Sequence, residues 1–207
     1  MRLPWETTVV VNGKPKKVPH PKTRELQYHI YETIYHAFNV ASIGLARKYG
    51  PYPSYEGSPL SQGKLHFDLV RERTPDIPLM YDWETTVRIP LAKYGRRNSL
   101  GVGPMPVATT SKIRNRSEGN NPYKENCFTQ PGHAGFYMCI NPHMVRELVE
   151  HGLLDDELRE RLEEQNGSIA GLLPDEYKWI ENLFSTAWEQ SKQVHIQLQR
   201  ERGDFID

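Results

Sequence analysis

The sequence predicts an α/β fold that is rich in helix and opens with a short β-hairpin. Three observations carry that expectation: an Asn-Gly turn between two extended runs, a sustained helical period over residues 23–49, and a train of capped helical segments after residue 140. With 207 residues, 37% hydrophobic and 25% charged, the chain suits one soluble domain with its own core.

Thr7 to Val11 and Lys14 to Val18 flank Asn12-Gly13, a pair that favours the left-handed dihedrals of a tight hairpin turn. Residues 1–24 carry Arg2, Lys14, Lys16, Lys17, Lys22 and Arg24 against one acid, Glu6. They read as a basic extension, with Pro19 and Pro21 stiffening its link to a domain over 25–207. From Thr23 to Tyr49, Leu26, Ile30, Ile34, Phe38, Ala41 and Leu45 fall three or four apart and Gly50 stands at the stop, which predicts a helix buried along that stripe. Residues 50–82 show neither period, yet Tyr52, Tyr55, Leu60, Leu65, Phe67 and Leu69 supply the apolar surface of an ordered loop.

A helix over Trp83 to Tyr94 should kink or end early at Pro90, which costs about 3 kcal/mol inside a regular helix. Ser99 to Pro104 reads as a short strand entering a loop of hydroxyls. Asn141-Pro142 opens a helix that stops at Gly152, and Asp155 or Asp156 caps another that stops at Gly167. Pro174-Asp175 opens the longest one, expected to reach Arg202 with Tyr177, Ile180, Phe184, Ala187, Trp188, Ser191, Val194 and Leu198 on its buried face. Phe205-Ile206 looks like the first step of a further strand.

Lys+Arg and Asp+Glu both total 26, so no net field draws the chain to nucleic acid or to an anionic membrane. No apolar run approaches the roughly 20 residues of a bilayer span, and Met1 to Glu6 is too short and polar for a secretory signal, so an intracellular location is expected. The two cysteines, Cys127 and Cys139, fit neither a redox C-x-x-C nor a zinc-knuckle spacing and are expected as buried or half-buried thiols. His20, His29, His36, His66, His133, His143, His151 and His195 are scattered; His29 and His36 would share a helix face, but two ligands without a third make a poor site, so no metal is expected.

The stretch with chemical content runs from Asn98 to Thr110, Asn-Ser-Leu-Gly-Val-Gly-Pro-Met-Pro-Val-Ala-Thr-Thr. An extended segment entering a turn of hydroxyls and backbone N–H groups can hold phosphate oxygens, although on composition alone an ordinary Ser/Thr turn is the favoured reading, by roughly five to one. Its surroundings are more specific. They contain, in order, Tyr31-Glu32-Thr33-Ile34-Tyr35, Gly50-Pro51-Tyr52, Tyr55-Glu56-Gly57-Ser58-Pro59, Gly63-Lys64-Leu65, Phe67-Asp68-Leu69, Asp82-Trp83 and Tyr94-Gly95. Arg97-Asn98-Ser99-Leu100, Pro104-Met105-Pro106, Asn141-Pro142-His143, Asn166-Gly167-Ser168-Ile169, Trp188-Glu189 and the terminal Glu201 to Asp207 follow.

This succession, spread over residues 25–207, closely resembles the large chain of class I ribonucleotide reductases. The resemblance implies part of that family's α/β barrel, the segment whose strand and loop hold the substrate diphosphate. It assigns Pro106, Ala108, Thr109 and Thr110 to a remnant diphosphate-binding loop, in which Val107 replaces a hydroxyl residue of the family. Asn115-Arg116-Ser117-Glu118 departs from the family's Gly-Asn-Asn-Glu; Asn126 is kept, and Gln130 and Pro131 stand where arginines are usual. Retained words such as Glu56-Gly57-Ser58-Pro59 and Trp188-Glu189 are read as packing and turn residues. The family's radical cysteine, redox pair and relay tyrosines lie outside the matching part, and Cys127 and Cys139 stand at apolar positions, so no catalytic residue and no cofactor is expected within these 207 residues.

Three functions follow as expectations. In the first, the chain is a reductase-like piece, non-catalytic alone, reused as a structural or assembly subunit of a heteromeric complex whose protein partner covers the open barrel edge. In the second, it is one half of a split ribonucleoside-diphosphate reductase serving DNA precursor synthesis, holding a nucleoside diphosphate weakly. A free nucleotide-binding regulator is least favoured, because neither a P-loop nor a Gly-x-Gly-x-x-Gly occurs. The resemblance implies a cytoplasmic location, and the basic extension leaves an organelle open.

Overall fold

The protein is described from a computed structural model covering residues 2–70, 76–113, 116–132 and 135–207. In chain order it contains strands β1 (Glu6–Val11) and β2 (Lys14–Pro19), the long helix α1 (Pro21–Tyr49), and short helices α2 (His66–Leu69) and α3 (Ile89–Tyr94). Helix α4 (Ala108–Ile113), strands β3 (Cys127–Gly132) and β4 (Gly135–Ile140), and helices α5 (Pro142–Glu150), α6 (Asp156–Glu164), α7 (Lys178–Leu183) and α8 (Lys192–Arg202) follow. The chain divides into two compact units, residues 1–20 with 105–195 and residues 21–104 with 196–207.

Local chemistry decides several elements as expected. Asn12 and Gly13 both take positive φ, 51° and 74°, and close β1 onto β2 with Glu6 opposite Pro19. The Asn141 side chain accepts from the His143 amide at 3.0 Å ahead of Pro142, and Asp155 accepts from the Leu158 amide at 2.7 Å, each capping the helix that follows it. The anticipated proline linker is reduced to His20, because β2 reaches Pro19 and α1 begins at Pro21, where a missing N–H costs a first turn nothing. Pro90 is accommodated by a π turn over Glu84–Arg88, with Pro90 itself inside the first turn of α3. The wider turn relieves the clash that a proline ring makes with the carbonyl four residues back.

The buried face of α1 is not the apolar stripe. Tyr28, Glu32, Tyr35, Asn39, Ser42, Ile43 and Ala46 are buried, whereas Leu26, Ile30, Ile34 and Leu45 are exposed. The reason is polar: loop 77–83 brings donors that need an acceptor. Glu32, with no exposed surface, accepts from the Met80 amide at 2.8 Å, the Tyr81 amide at 3.2 Å and the Trp83 indole at 3.0 Å, and His29 Nδ1 lies 3.1 Å away. Around that carboxylate Phe67 meets Trp83 edge to face at 5.0 Å and Tyr28 meets Phe205 at 4.8 Å. Tyr55, Leu60, Leu65, Val87 and Leu91 complete this core.

The other unit has a separate core, in which Met144, Leu148, Leu158, Leu162, Ile169, Leu172, Leu173 and Ile180 interlock beneath α5, α6 and α7. The long helix expected from Asp175 to Arg202 is broken here: a 3-10 turn over Asp175–Tyr177 and α7 end before residue 184, and α8 starts only at Lys192. Tertiary acceptors interrupt it. The Thr186 amide donates to Glu189 at 2.6 Å and the Ala187 amide to the Tyr123 carbonyl at 2.9 Å, which withdraws both from a helical ladder. Trp188, placed by the sequence on a buried face, is 69% exposed.

The strands form two separate two-stranded antiparallel sheets, and among the described residues no closed barrel is present. Among the described residues the run after Ser99 pairs with no strand, and the amides of Gly101 and Val102 donate instead to the Asp207 carboxylate at 2.8 and 2.9 Å. Gly203–Phe205 is a 3-10 turn, after which Ile206 becomes extended at φ −112°, ψ 106°. The step toward a strand therefore begins one residue later than expected. No described helix is long and apolar enough to cross a membrane.

Candidate functional site

The approach to the loop is held from α1. Arg96 is 1% exposed and its guanidinium reaches Asn39 Oδ1 at 3.0 Å, the Asn98 carbonyl at 2.7 Å, the Ser99 carbonyl, and Asp207 at 3.0 Å. Ser42 Oγ accepts from the Asn98 amide at 3.0 Å and donates to Asn98 Oδ1 at 2.9 Å. A Cβ added to Gly101 would stand 1.8 Å from the Phe38 ring, so the chain here packs directly on that ring. Sequence reasoning missed this cradle. Its signal was the second period on α1, Tyr28, Glu32, Tyr35, Asn39, Ser42 and Ala46, which the more apolar stripe concealed.

The loop residues proper begin a helix. Pro106 and Val107 are exposed, and Ala108, Thr109 and Thr110 form the first turn of α4, where amides have no intrahelical acceptor. Thr110 is exposed; the side chains of Ala108 and Thr109 lie outside the described residues. The loop is closed by the Val107 amide on the Glu118 carbonyl at 3.0 Å, the Ser111 amide on the Val107 carbonyl at 3.0 Å and the Arg116 amide on the Ser111 carbonyl at 2.9 Å. Asn115, His133 and the side chains of Gln130 and Pro131 also fall outside the described residues.

Arg116 contacts Nε2 of His143, the second residue of α5. Burial, then the nearby charges of Arg116 and Arg146, push the His143 imidazole below its ordinary value. A neutral imidazole can accept from the guanidinium, as a protonated one cannot. Asn126 is a buried hub. Its amide donates to the Gly167 carbonyl at 3.3 Å, its Nδ2 to the Phe184 carbonyl at 2.7 Å, and its Oδ1 and carbonyl accept from Asn141 at 2.9 and 2.7 Å. Gly167, at φ +77°, passes so close that a Cβ would lie 2.2 Å from the Cys127 nitrogen.

The cysteines flank that hub without meeting. Cys127 lies opposite Ile140 and Cys139 opposite Phe128, so they occupy opposite faces of the β3–β4 hairpin, and no disulfide joins them. Burial pushes the Cys127 thiol up, away from the thiolate needed for redox chemistry. Of the histidine pair, His29 contacts Glu32 and His36 stacks on Tyr81 with its Nε2 2.8 Å from Thr86 Oγ1. Among the described residues no group of three or more His, Cys, Asp or Glu side chains is arranged to hold a metal.

The ribonucleotide reductase barrel domain matches residues 18–207. The chain belongs to the ribonucleotide reductase family. It is 41% identical over 188 residues to the ribonucleoside-diphosphate reductase large subunit of Caenorhabditis elegans, covering 90% of this chain and 23% of that one. Against the large chain 2 of Saccharomyces cerevisiae it is 39% identical over 207 residues, covering all of this chain and 22% of the relative. The alpha subunit of the Actinobacillus ureae class Id ribonucleotide reductase shares the fold, with a TM-score of 0.59 at 23% identity over 91% of this chain and 27% of that chain. The chain thus spans 19–24% of the length of these and similar curated reductases.

Two outcomes test this geometry. Gly101→Ala should destabilise the protein by about 1–3 kcal/mol in urea unfolding through overpacking against Phe38, and Phe38→Ala in the same chain should recover part of that loss. The second concerns pH. Because the folded value of His143 is lowered, the unfolded chain takes the proton first, so the stability linked to neutral His143 is whole above about pH 6.5 and is lost as pH falls below it. The His143 ring resonances should titrate with a midpoint below that of a free histidine, and Arg116→Gln should move the midpoint part of the way back up.

Proposed function

We propose that the chain is a ribonucleotide reductase large-chain-like piece, non-catalytic by itself, which acts as a structural or assembly subunit of a heteromeric complex. The observation that carries this reading is the placement of its thiols: Cys127 is buried with a raised value, Cys139 faces the other side of the hairpin, and neither adjoins the 106–110 loop in the sheet register or the chain. A thiyl mechanism needs a cysteine beside the ribose, and these 207 residues do not supply one. The partition into a basic extension over 1–24 and a partial barrel over 25–207 belongs to this reading, as does an intracellular location.

A protein partner is supported by large apolar side chains left in water. Leu100, Met105, Ile113 and Phe136 are exposed at 69, 75, 76 and 81%. Large apolar side chains this open are the kind that another chain covers. Purified alone, the protein should turn over no ribonucleoside diphosphate, and deoxynucleotide formed in a radiolabel assay would end this reading.

A second reading, half of a split reductase that contributes the diphosphate loop, is favoured by one observation: Ala108, Thr109 and Thr110 do form a first helical turn, whose amides can face an anion. Each lost neutral hydrogen bond is worth roughly 0.5–1.5 kcal/mol, so a loop lacking the hydroxyl at Val107 and the supporting arginines should keep only about millimolar affinity. Calorimetry of the wild type and of Val107→Thr against a nucleoside diphosphate separates the readings. Restoring the hydroxyl should tighten binding by no more than about tenfold. Micromolar binding by the wild type would instead make the split enzyme the better account.

A further inference from the structure

The β1–β2 hairpin closes one of its edges and leaves the other open. The His20 amide donates to the Trp5 carbonyl at 3.0 Å, which fixes the phase of the ladder. Bonded and unbonded pairs alternate along antiparallel strands. Thr7–Val18, Val9–Lys16 and Val11–Lys14 therefore exchange hydrogen bonds, whereas Glu6–Pro19, Thr8–Lys17 and Val10–Pro15 turn their backbone groups outward. On β2 two of the three outward positions are prolines, which have no N–H to give, so that edge is closed. On β1 both Thr8 and Val10 are exposed, Val10 at 75%, and among the described residues no strand lies beside them. Two strands alone are marginal in water, and a third would complete the sheet.

We propose that the outer edge of β1 takes an extended, acidic segment of a different protein as that third strand. The backbone edge selects a peptide in strand conformation, and the side chains select its charge. The hairpin carries Lys14, Lys16 and Lys17 against Glu6, and Glu6 pairs with Lys17. Lys14 and Lys16 are exposed and stand opposite Val11 and Val9, on the same face of the sheet. A strand added to β1 sets alternate side chains beside those valines, two strand spacings or about 10 Å from the lysines. Carboxylates there meet the ammonium groups across the valine methyls. Single-stranded nucleic acid fits this surface less well, because Thr8 to Lys17 includes no aromatic ring for a base to stack on. A second copy of the hairpin would bring more lysine in place of acid.

The edge uses no residue of the 106–110 loop and holds under either reading of the function. The test is fluorescence anisotropy of the full chain with a labelled peptide of about eight residues that alternates glutamate and valine. Saturable binding below about 1 mM is expected. The same peptide N-methylated at every residue keeps its charge but cannot pair, and should not bind. Val10→Pro removes an outward donor opposite Pro15, a proline the ladder already accepts, and should weaken binding about fivefold or more with unchanged helical circular dichroism. Lys14→Glu with Lys16→Glu leaves the backbone edge intact, and should weaken it by a similar factor and favour a lysine–valine peptide instead. Absence of binding, equal binding of the N-methylated peptide, or indifference to Val10→Pro would each overturn the proposal. So would tighter binding of a single-stranded oligonucleotide or anionic vesicles, or a dimer paired through β1 that excludes the peptide.

Discussion

The unit built on α1 depends on one buried ion pair, Arg96 with Asp207. A guanidinium taken out of water must have its donors satisfied, and this one finds Asn39, two carbonyls of the adjoining chain and the carboxylate. The carboxylate in turn receives the Gly101 and Val102 amides on its other oxygen. The end of the chain, the middle of α1 and the segment leading to the loop are thereby tied at one point. Removing either partner would strand a buried charge, which typically costs about 3–5 kcal/mol, far more than the net worth of the intact pair.

Glu32 plays a comparable part at the other end of the same helix face. Its carboxylate gathers three N–H groups from a loop that has neither helical nor strand period, and this explains how residues 77–83 hold a fixed path without secondary structure. The aromatic core around Phe67, Trp83 and Phe205 forms because that loop is pinned, since Trp83 is both a donor to Glu32 and a ring in the cluster. Polar anchoring and apolar packing are therefore one arrangement here, with the carboxylate setting where the rings go.

These anchors also mark what could be read in the sequence. Caps and turns act within a few residues, and Asn12-Gly13, Asn141-Pro142 and Asp155 were legible because the groups they satisfy are their own neighbours. The face of α1 was not, because a search for apolar spacing selects Leu26, Ile30 and Ile34 and passes over a buried period made of Tyr, Glu, Asn and Ser. The break after Leu183 was hidden for a related reason: Glu189 and the Tyr123 carbonyl capture amides that local propensity assigns to a helix. The loop at residues 106–110 was identified by resemblance, and its geometry as the first turn of α4 came only with the fold. The β3–β4 hairpin left a faint signal in Phe128 and Thr129, which face Cys139 and Met138.

The same distinction separates Val107 from Asn126. Val107 is exposed, so exchanging a hydroxyl for a methyl there leaves no buried group without a partner and costs the fold almost nothing. Asn126 is the opposite case: replacing it would strand the Phe184 carbonyl and the Asn141 amide group at once, beneath a strand against which Gly167 already leaves no room. Each such orphaned group costs roughly 1–3 kcal/mol, a large share of the 5–15 kcal/mol that holds a domain folded. Stability therefore requires the hub, the Arg96 cradle and the caps, whereas the side chain at position 107 stands in water and its exchange leaves the core untouched.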